Sequence, residues 1–278
     1  PAKGDWSLMR EHIFRIICQG DEKIFLWVMA WLAHQVQKLG DDRPGTCIVL
    51  KGEQGTGKGI FAREYGKIFG THFLHLMSAN QIAGRFTGHL ANKIFVFCDE
   101  VIWDGSKTMS SVLKAIITEP TIAIEYKNVD IFNVRNHISL MIASNGDFIV
   151  PAEIGERRFC VLEVSSERAN DSEYFNKIMI QMNNGGREAM LYDLQNMNIS
   201  GINLRSIPRT DALLGQIMKN IPNVGKFWMD YLMMNNVPDG EDEDGCLSIE
   251  KDSLYNKYVA YAKKLGLKEI ESNISFGR

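Results

Sequence analysis

The segment GEQGTGKG at residues 52–59 has the composition and spacing of a phosphate-binding loop. In the pattern G-x-x-x-x-G-K, glycines let backbone amides turn toward phosphate oxygens, and the lysine places its ammonium group on the β- and γ-phosphates. An unrelated glycine-rich turn is the competing interpretation. A buried strand before the segment and a helix after it favour the phosphate loop. The residues predicted to bind the phosphates of ATP are Gly52, Glu53, Gln54, Gly55, Thr56, Gly57, Lys58 and Gly59.

Position 59 departs from this pattern, because a phosphate loop has Ser or Thr there and this chain has Gly59. The missing hydroxyl normally ligates Mg²⁺. A water molecule or Thr56 could replace it, or Mg²⁺ could rest mainly on acidic residues further along the chain. Weaker metal binding is the alternative, and the sequence leaves these possibilities open.

An acidic pair, Asp99 and Glu100, follows the apolar run at residues 94–98. This order is typical of a Walker B motif, in which we expect Asp99 to hold Mg²⁺ directly or through water. We expect Glu100 to polarise the water that attacks the γ-phosphate. Exposed acidic pairs are common at strand ends, so this interpretation depends on the phosphate loop.

Two further polar sites come later in the chain. Asn145 follows the apolar run at 139–143, and ligands of α/β sheets bind at the carboxyl ends of strands. Asn145 could therefore orient the attacking water, although Asn-Gly is also a common turn. Arg157 or Arg158 could neutralise charge during phosphoryl transfer, within this subunit or its neighbour. A solvated loop pair is the alternative, and the sequence does not choose between the two arginines.

The elements that must position these residues follow from apolar spacing. Residues 5–39 predict two helices interrupted at Gly20–Asp21. Short apolar runs predict buried strands at 47–50, 94–98, 139–143 and 159–164. Helical patterns follow the phosphate loop and continue at 108–117, from about 170 onward and at 249–265, while 238–245 is an acidic loop. The alternation of strands and helices predicts an α/β fold with a central parallel sheet.

Residues 121–134 alternate in polarity on both sides of Lys127 and Asn128, which predicts a β-hairpin with this pair at its tip. A cation at a hairpin tip suits contact with the backbone of single-stranded DNA. Lys127 and Asn128 are therefore candidate DNA-binding residues, and Arg135 and Lys114 are weaker ones. A surface lysine in a polar turn is the alternative.

Composition limits the protein class. The chain has 278 residues, a net charge of −3 and 45% hydrophobic residues, which excludes a wholly disordered chain and argues against a uniformly basic nucleic-acid coat. No apolar run reaches the length of a membrane helix, so we expect no membrane partner. Five dispersed cysteines indicate reduced thiols and a cytoplasmic protein, in the host cytoplasm if the protein is viral. The abrupt start at Pro1 suggests a fragment of a longer polypeptide.

The order of these motifs resembles the superfamily 3 helicases, a group of AAA+ ATPases. The matching segments are GEQGTGKG, FVFCDE, the stretch from Lys114 to Lys127, SLMIASN and GERRF. The stretch GRFTGHLANKIFVFCDE is most similar to phage and plasmid primase-helicases.

The resemblance implies an AAA+ P-loop core at residues 43–166, an N-terminal helical region at 1–42 and a C-terminal mostly helical region at 167–278. It also implies an ATP- and Mg²⁺-dependent DNA helicase in phage or plasmid replication. Such a protein forms a homo-oligomeric ring, here expected to be a hexamer, with ATP sites between subunits and single-stranded DNA in the pore. A covalently linked primase-polymerase domain is the implied neighbour in the chain. Gly59 is the departure from the family pattern.

Two other functions remain possible at this level. A weakly hydrolysing, nucleotide-dependent scaffold could assemble on DNA and serve an attached primase-polymerase, and Gly59 would suit it. A monomeric small-molecule kinase is the third possibility. It ranks below the others because an Asp-Glu pair favours water as the nucleophile.

Overall fold

The computed structural model describes residues 2–39, 43–78, 80–100, 106–233, 250–267 and 270–276. The helices are α1 (Ser7–His12), α2 (Glu22–Gln37), α3 (Lys58–Gly66), α4 (Asn80–Ala83), α5 (Lys107–Thr118), α6 (Ser172–Gln181), α7 (Arg187–Asn196), α8 (Asp211–Asn220), α9 (Asn223–Met233), α10 (Lys251–Lys264) and α11 (Asn273–Phe276). The strands are β1 (Cys47–Lys51), β2 (Phe73–Leu76), β3 (Phe95–Asp99), β4 (Thr121–Ile124), β5 (Phe132–Arg135), β6 (Ser139–Ser144) and β7 (Phe159–Glu163). Two compact units divide the chain, Pro1–Gln216 and Ile217–Arg278.

A parallel sheet of five strands forms the centre of the first unit, in the order β2-β3-β6-β1-β7. The predicted α/β fold with a central parallel sheet is therefore confirmed. Four of its strands were predicted, each with bounds within one residue of the observed ones. The shift that concerns the site is in β3, where Asp99 is the last residue of the strand and not the residue after it. The remaining strand, β2, was missed. It lies at the edge of the sheet and three of its four residues are only half-buried.

Alternate residues of the central strands face opposite sides, as strand geometry requires. One side carries Ile48, Phe97 and Met141, which belong to a continuous apolar core. Because both sides of β1 and β6 are buried, residues 47–50 and 140–143 are all apolar.

The N-terminal helices pack against that same core. Trp31 of α2 is fully buried there, together with residues of α1 and of the π-helical turn Ile13–Ile17. The predicted break between the two helical segments is confirmed, because Gly20 has a φ of 76° and the Asp21 side chain accepts hydrogen bonds that cap α2. Residues of α6 and α7 also join this core, so both flanks of the sheet-forming segment support the sheet.

The predicted hairpin is also confirmed. Strands β4 and β5 pair antiparallel, with Ile124 opposite Phe132, and the turn between them centres on Lys127 and Asn128. Asn128 has a φ of 62°, a left-handed conformation that asparagine tolerates in turns.

The second unit has its own apolar core, built from α9, α10 and α11 around Phe227 and Tyr258. A hydrogen bond to Asp230 raises the pKa of Tyr261 to about 12. The predicted helix at 249–265 corresponds to α10, and the acidic loop at 238–245 lies outside the described residues. The division into regions 1–42, 43–166 and 167–278 stays a prediction.

Two further expectations from the sequence concern the cysteines and membrane-spanning helices. Cys18, Cys47, Cys98 and Cys160 are free and buried, and burial raises the pKa of each thiol. Cys246 lies outside the described residues. Among the helices that the structure describes, none combines the length and the apolar character needed to cross a bilayer.

Candidate nucleotide-binding site

The glycine-rich loop connects β1 to α3 at the carboxyl edge of the sheet. Gly55 and Gly57 have φ values of 78° and 87°, which glycine adopts without the steric cost that other residues meet. Gly57 is also the residue from which α3 begins. The amides of the loop and of the first helical turn thus lie at the positive end of a helix dipole, the arrangement that binds anions.

The side chain of Lys58 folds back onto this loop. Its Nζ atom donates to the carbonyl oxygens of Gly52 (2.7 Å) and Glu53 (2.5 Å) and lies 3.2 Å from Thr56 Oγ1. Burial lowers the pKa of Lys58, while the charges of Asp99 and nearby glutamates oppose that shift. Lys58 Nζ is thus held over the loop by neutral acceptors, which an anionic oxygen could replace.

The hydroxyl of Thr56 is held by the loop's own backbone. The Thr56 side chain is fully buried and its hydroxyl donates to the carbonyl oxygen of Glu53 at 2.9 Å. The hydroxyl is therefore engaged, and the structure does not favour the idea that Thr56 replaces the missing hydroxyl at position 59.

Asp99 is the last residue of β3, two strands away from β1 in the sheet, and Glu100 follows it directly. Asp99 Oδ2 lies 3.8 Å from Arg63 Nη1 and 3.5 Å from His75 Nε2. Glu100 is exposed and has a φ of 57°. A non-glycine residue in this conformation carries backbone strain, which tends to occur where a side chain must be aimed at a ligand.

Asn145 follows β6, the strand between β1 and β3. It is exposed, and the turn that carries it is fixed by a hydrogen bond from the Gly146 amide to Ser144 Oγ at 3.1 Å. The parallel register puts Lys51 beside Ser144 and Asp99 beside Ala143. The phosphate loop, the acidic pair and Asn145 therefore meet at one edge of the sheet.

These groups line one cavity of about 550 Å³, a volume typical of small-molecule sites. Its lining residues are Gln54, Gly55, Thr56, Gly57, Lys58, Gly59, Ile60, Arg63, Asp99, Glu100, Ser144, Asn145, Asn170, Ser172 and Phe175. The sequence predictions identified most of this lining. The unpredicted lining residues are Ile60, Arg63, Ser144, Asn170, Ser172 and Phe175.

Three unpredicted side chains support the loop from outside the motif. A Cβ atom at Gly57 would lie 2.5 Å from Phe175 and 2.6 Å from the His12 ring, so both rings pack directly on the loop. The backbone amide of Asn170 donates to the carbonyl oxygen of Gly55 at 3.1 Å. The side chain of Asn170 packs on the same glycine, where a Cβ atom would lie 2.2 Å from Asn170 Oδ1. Burial lowers the pKa of His12 to about 4, so this ring is neutral at pH 7.

Arg157 and Arg158 lie at the amino ends of the strands, opposite the end that carries the glycine-rich loop. They immediately precede β7, whose first residue pairs with the first residue of β1. Five strand residues, about 16 Å, separate that end of the strands from the phosphate loop. Arg157 is exposed, whereas Arg158 lies 3.6 Å from Glu156 Oε1. Neither arginine lines the cavity of its own chain.

The candidate DNA contacts lie elsewhere in the first unit. Lys127 and Asn128 are exposed at the hairpin tip. Next to the tip, Tyr126 and Phe132 stack with ring centroids 6.1 Å apart. Lys114, on α5, is half-buried and its Nζ atom lies 2.7 Å from Glu153 Oε1. This ion pair reduces its availability for DNA.

Comparison with known proteins gives related sequences and related folds. Residues 50–158 match a family of unknown function, DUF5906. The DNA primase-polymerase of Nitratiruptor phage NrS-1 is 33% identical over 139 residues, which are 49% of this chain and 19% of that protein. This chain is homologous to that primase-polymerase. Its matched part spans about a fifth of the relative's length.

Solved structures of the NrS-1 C-terminal region share the fold. An apo structure of that region matches 96% of this chain and 68% of its own length, with a TM-score of 0.73 and 21% identity. Another, of residues 305–718, matches 86% of this chain and 61% of its own length, with a TM-score of 0.70 and 22% identity.

The residues of the cavity fit the phosphates of a nucleotide. Loop amides, a helix N-terminus and Lys58 supply positive charge in one concave site. Mg²⁺ fits less well, because position 59 offers no oxygen and the Arg63 guanidinium lies near Asp99. Within the described ranges, no three His, Cys, Asp or Glu side chains form a group suited to a metal.

Proposed function

We propose that this chain is the ATP-dependent DNA helicase or translocase part of a phage or plasmid replication protein, with an AAA+ core of the superfamily 3 type. The observation that carries the proposal is the meeting of the phosphate loop, Asp99, Glu100 and Asn145 around one cavity. The homology to a phage primase-polymerase supports a role in replication and a covalently linked primase-polymerase.

Each residue of the cavity has a proposed task. Lys58 and the loop amides bind the phosphates of ATP. Glu100 accepts a proton from the attacking water, and Asn145 contacts the γ-phosphate or orients that water. Asp99 is the carboxylate that would hold Mg²⁺, whose chemistry is to neutralise phosphate charge.

The position of the arginines supports a ring with ATP sites between subunits. A cation at the amino ends of the strands cannot reach the cavity of its own chain, but it can complete the cavity of a neighbouring copy. We propose Arg157 for this task, because it is exposed while Arg158 is held near Glu156. A hexamer is the proposed ring, with the hairpin tips carrying Lys127 around a pore for single-stranded DNA.

Steady-state ATP hydrolysis, measured with and without single-stranded DNA, tests this function. The expected result is DNA-stimulated turnover that Lys58→Ala and Glu100→Gln both abolish. Lys177→Ala, on the exposed face of α6, is a matched control that should behave like the wild type. Turnover that is insensitive to Glu100→Gln would contradict the proposal.

A weakly hydrolysing scaffold is the second candidate, and Gly59 is the observation that favours it. In that case the wild type would bind ATP and single-stranded DNA, but its turnover would be no greater than that of Glu100→Gln. Binding without turnover would thus separate the scaffold from the motor.

A further inference from the structure

The side chain of Arg63 fills the space beside Gly59. A Cβ atom at Gly59 would lie 2.6 Å from Arg63 Nη1 and 3.3 Å from its Cζ atom. The two residues are one helical turn apart on α3, so Arg63 lies over the first turn after the phosphate loop. The absence of a side chain at position 59 is what lets the guanidinium lie there.

This guanidinium lies inside the candidate nucleotide site. Arg63 lines the same cavity as Lys58, Asp99 and Asn145. Its ion pair with Asp99 is long, at 3.8 Å, and 42% of its side chain is exposed. Arg63 can therefore leave Asp99 for a stronger partner without losing a buried contact.

A triphosphate is such a partner. The planar guanidinium carries several donors in a fixed fork and binds phosphate oxygens bidentately. At position 59, a serine or threonine would provide one oxygen for a metal that in turn neutralises the phosphates. This chain lacks the oxygen and instead has a permanent cation, the Arg63 guanidinium, beside that position.

We propose that Arg63 binds the phosphates of the nucleotide directly and takes over the charge neutralisation that a metal anchored at position 59 would provide. Nucleotide affinity then depends on Arg63 and only weakly on Mg²⁺. This inference rests on the proposed nucleotide site, and it gives that site a specific ligand class, a metal-free nucleoside triphosphate.

The test is equilibrium binding of a fluorescent ATP analogue to the chain, once with Mg²⁺ and once with EDTA. The wild type should bind with similar affinity in both. Arg63→Gln should weaken binding in EDTA about ten- to a hundredfold, the loss expected for a hydrogen-bonded charge pair. Arg63→Lys should fall between the two, because it keeps the charge without the fork. Arg15→Gln, an exposed arginine paired with Glu11, is the matched control.

Gly59→Ser gives an independent arm. A side chain there displaces the flexible end of Arg63, which costs little stability, and it restores the hydroxyl of the common pattern. The variant should bind less tightly than the wild type in EDTA and regain affinity with Mg²⁺. Thermal unfolding of each variant checks that the fold is kept.

Two outcomes separate this inference from the proposed function. If Lys58→Ala abolishes binding while Arg63→Gln binds like the wild type in both buffers, Arg63 has no such role and the nucleotide site stands. If the wild type binds no nucleotide in either buffer, both proposals fail. Wild-type binding that collapses in EDTA would also overturn the role of Arg63.

Discussion

The backbone amide of Gly52 donates a hydrogen bond of 3.2 Å to the carbonyl oxygen of Ser144. This contact joins the first residue of the phosphate loop to the last residue of β6, directly before Asn145. Backbone pairing therefore sets the position of Asn145 relative to the loop that we propose binds phosphate.

Asn145→Ala should lower ATP turnover about a hundredfold, the usual cost of removing one hydrogen-bond donor from a reacting centre. Nucleotide affinity should change little, because the loop and Lys58 remain. Turnover and analogue binding measured on the same preparation check this, with Asn196→Ala on the exposed face of α7 as the control. Equal loss of affinity and turnover would instead assign Asn145 to binding.

Lys127→Ala should weaken binding of single-stranded DNA and make it less sensitive to salt. Each lost phosphate contact on a single strand should reduce the slope of log affinity against log salt by about 0.7. DNA binding titrated at several salt concentrations measures this slope, and Lys177→Ala supplies the comparison. An unchanged slope would remove the hairpin tip from the DNA path.

Mixing two inactive variants tests the placement of Arg157. A subunit with Arg157→Ala keeps its own Lys58, and a subunit with Lys58→Ala keeps its own Arg157. If the site lies between subunits, mixed rings contain some complete sites, so the mixture should regain ATPase activity that neither variant shows alone. No recovery, despite mixed assembly, would argue against a cation supplied by the neighbour.

The buried ion pair of Glu64 and Arg187 should matter for stability. Arg187 Nε lies 2.6 Å from Glu64 Oε2, and Glu64 is 1% exposed. Arg187→Met removes one of the two ion-pair partners of this buried carboxylate and leaves Lys67. The loss of one hydrogen bond to a charged group should cost about 2 kcal/mol in the free energy of unfolding. Urea unfolding checks this. The double variant with Glu64→Gln should recover much of the loss, because the buried carboxylate is gone and Lys67 is partly exposed to solvent.

His12 should make stability depend on pH below neutrality. Its pKa of about 4 in the folded protein is below the ordinary value of 6.5, so between these pH values the unfolded chain takes up a proton that the folded chain does not. Stability is therefore fully present above pH 6.5 and falls as the pH drops, by up to about 1.4 kcal/mol per pH unit from this group. Urea unfolding at pH 7 and pH 5 should show a smaller difference for His12→Gln than for the wild type.

The buried strands and the hairpin were predictable because their signals are local. Runs such as residues 47–50 are apolar on both faces, and the hairpin shows alternation around a polar pair. Strand β2 gave a weaker signal: it is short, half-buried and includes His75. An edge strand is specified by the neighbour that it pairs with, and sequence does not show that neighbour.

The loop, Asp99 and Asn145 were predictable for a similar reason, since each ends a buried strand. Arg63, His12 and Asn170 were not. Arg63 has the appearance of an ordinary helix-surface residue until Gly59 shows the space beside it. His12 and Asn170 reach the loop through tertiary packing from either side of the motif-bearing segment. A local pattern contains no trace of such contacts.

The support of Gly57 by His12 and Phe175 has a consequence for how this segment can be transplanted or excised. Residues 50–158 carry the recognisable motifs, but the rings that pack against the loop come from the segments before and after them. A fragment trimmed to residues 50–158 would keep every motif residue but lose the side chains that pack against the loop. A protein into which this segment is grafted must supply other side chains that pack on Gly57. The flanking segments are therefore part of the site, although they carry no recognisable motif.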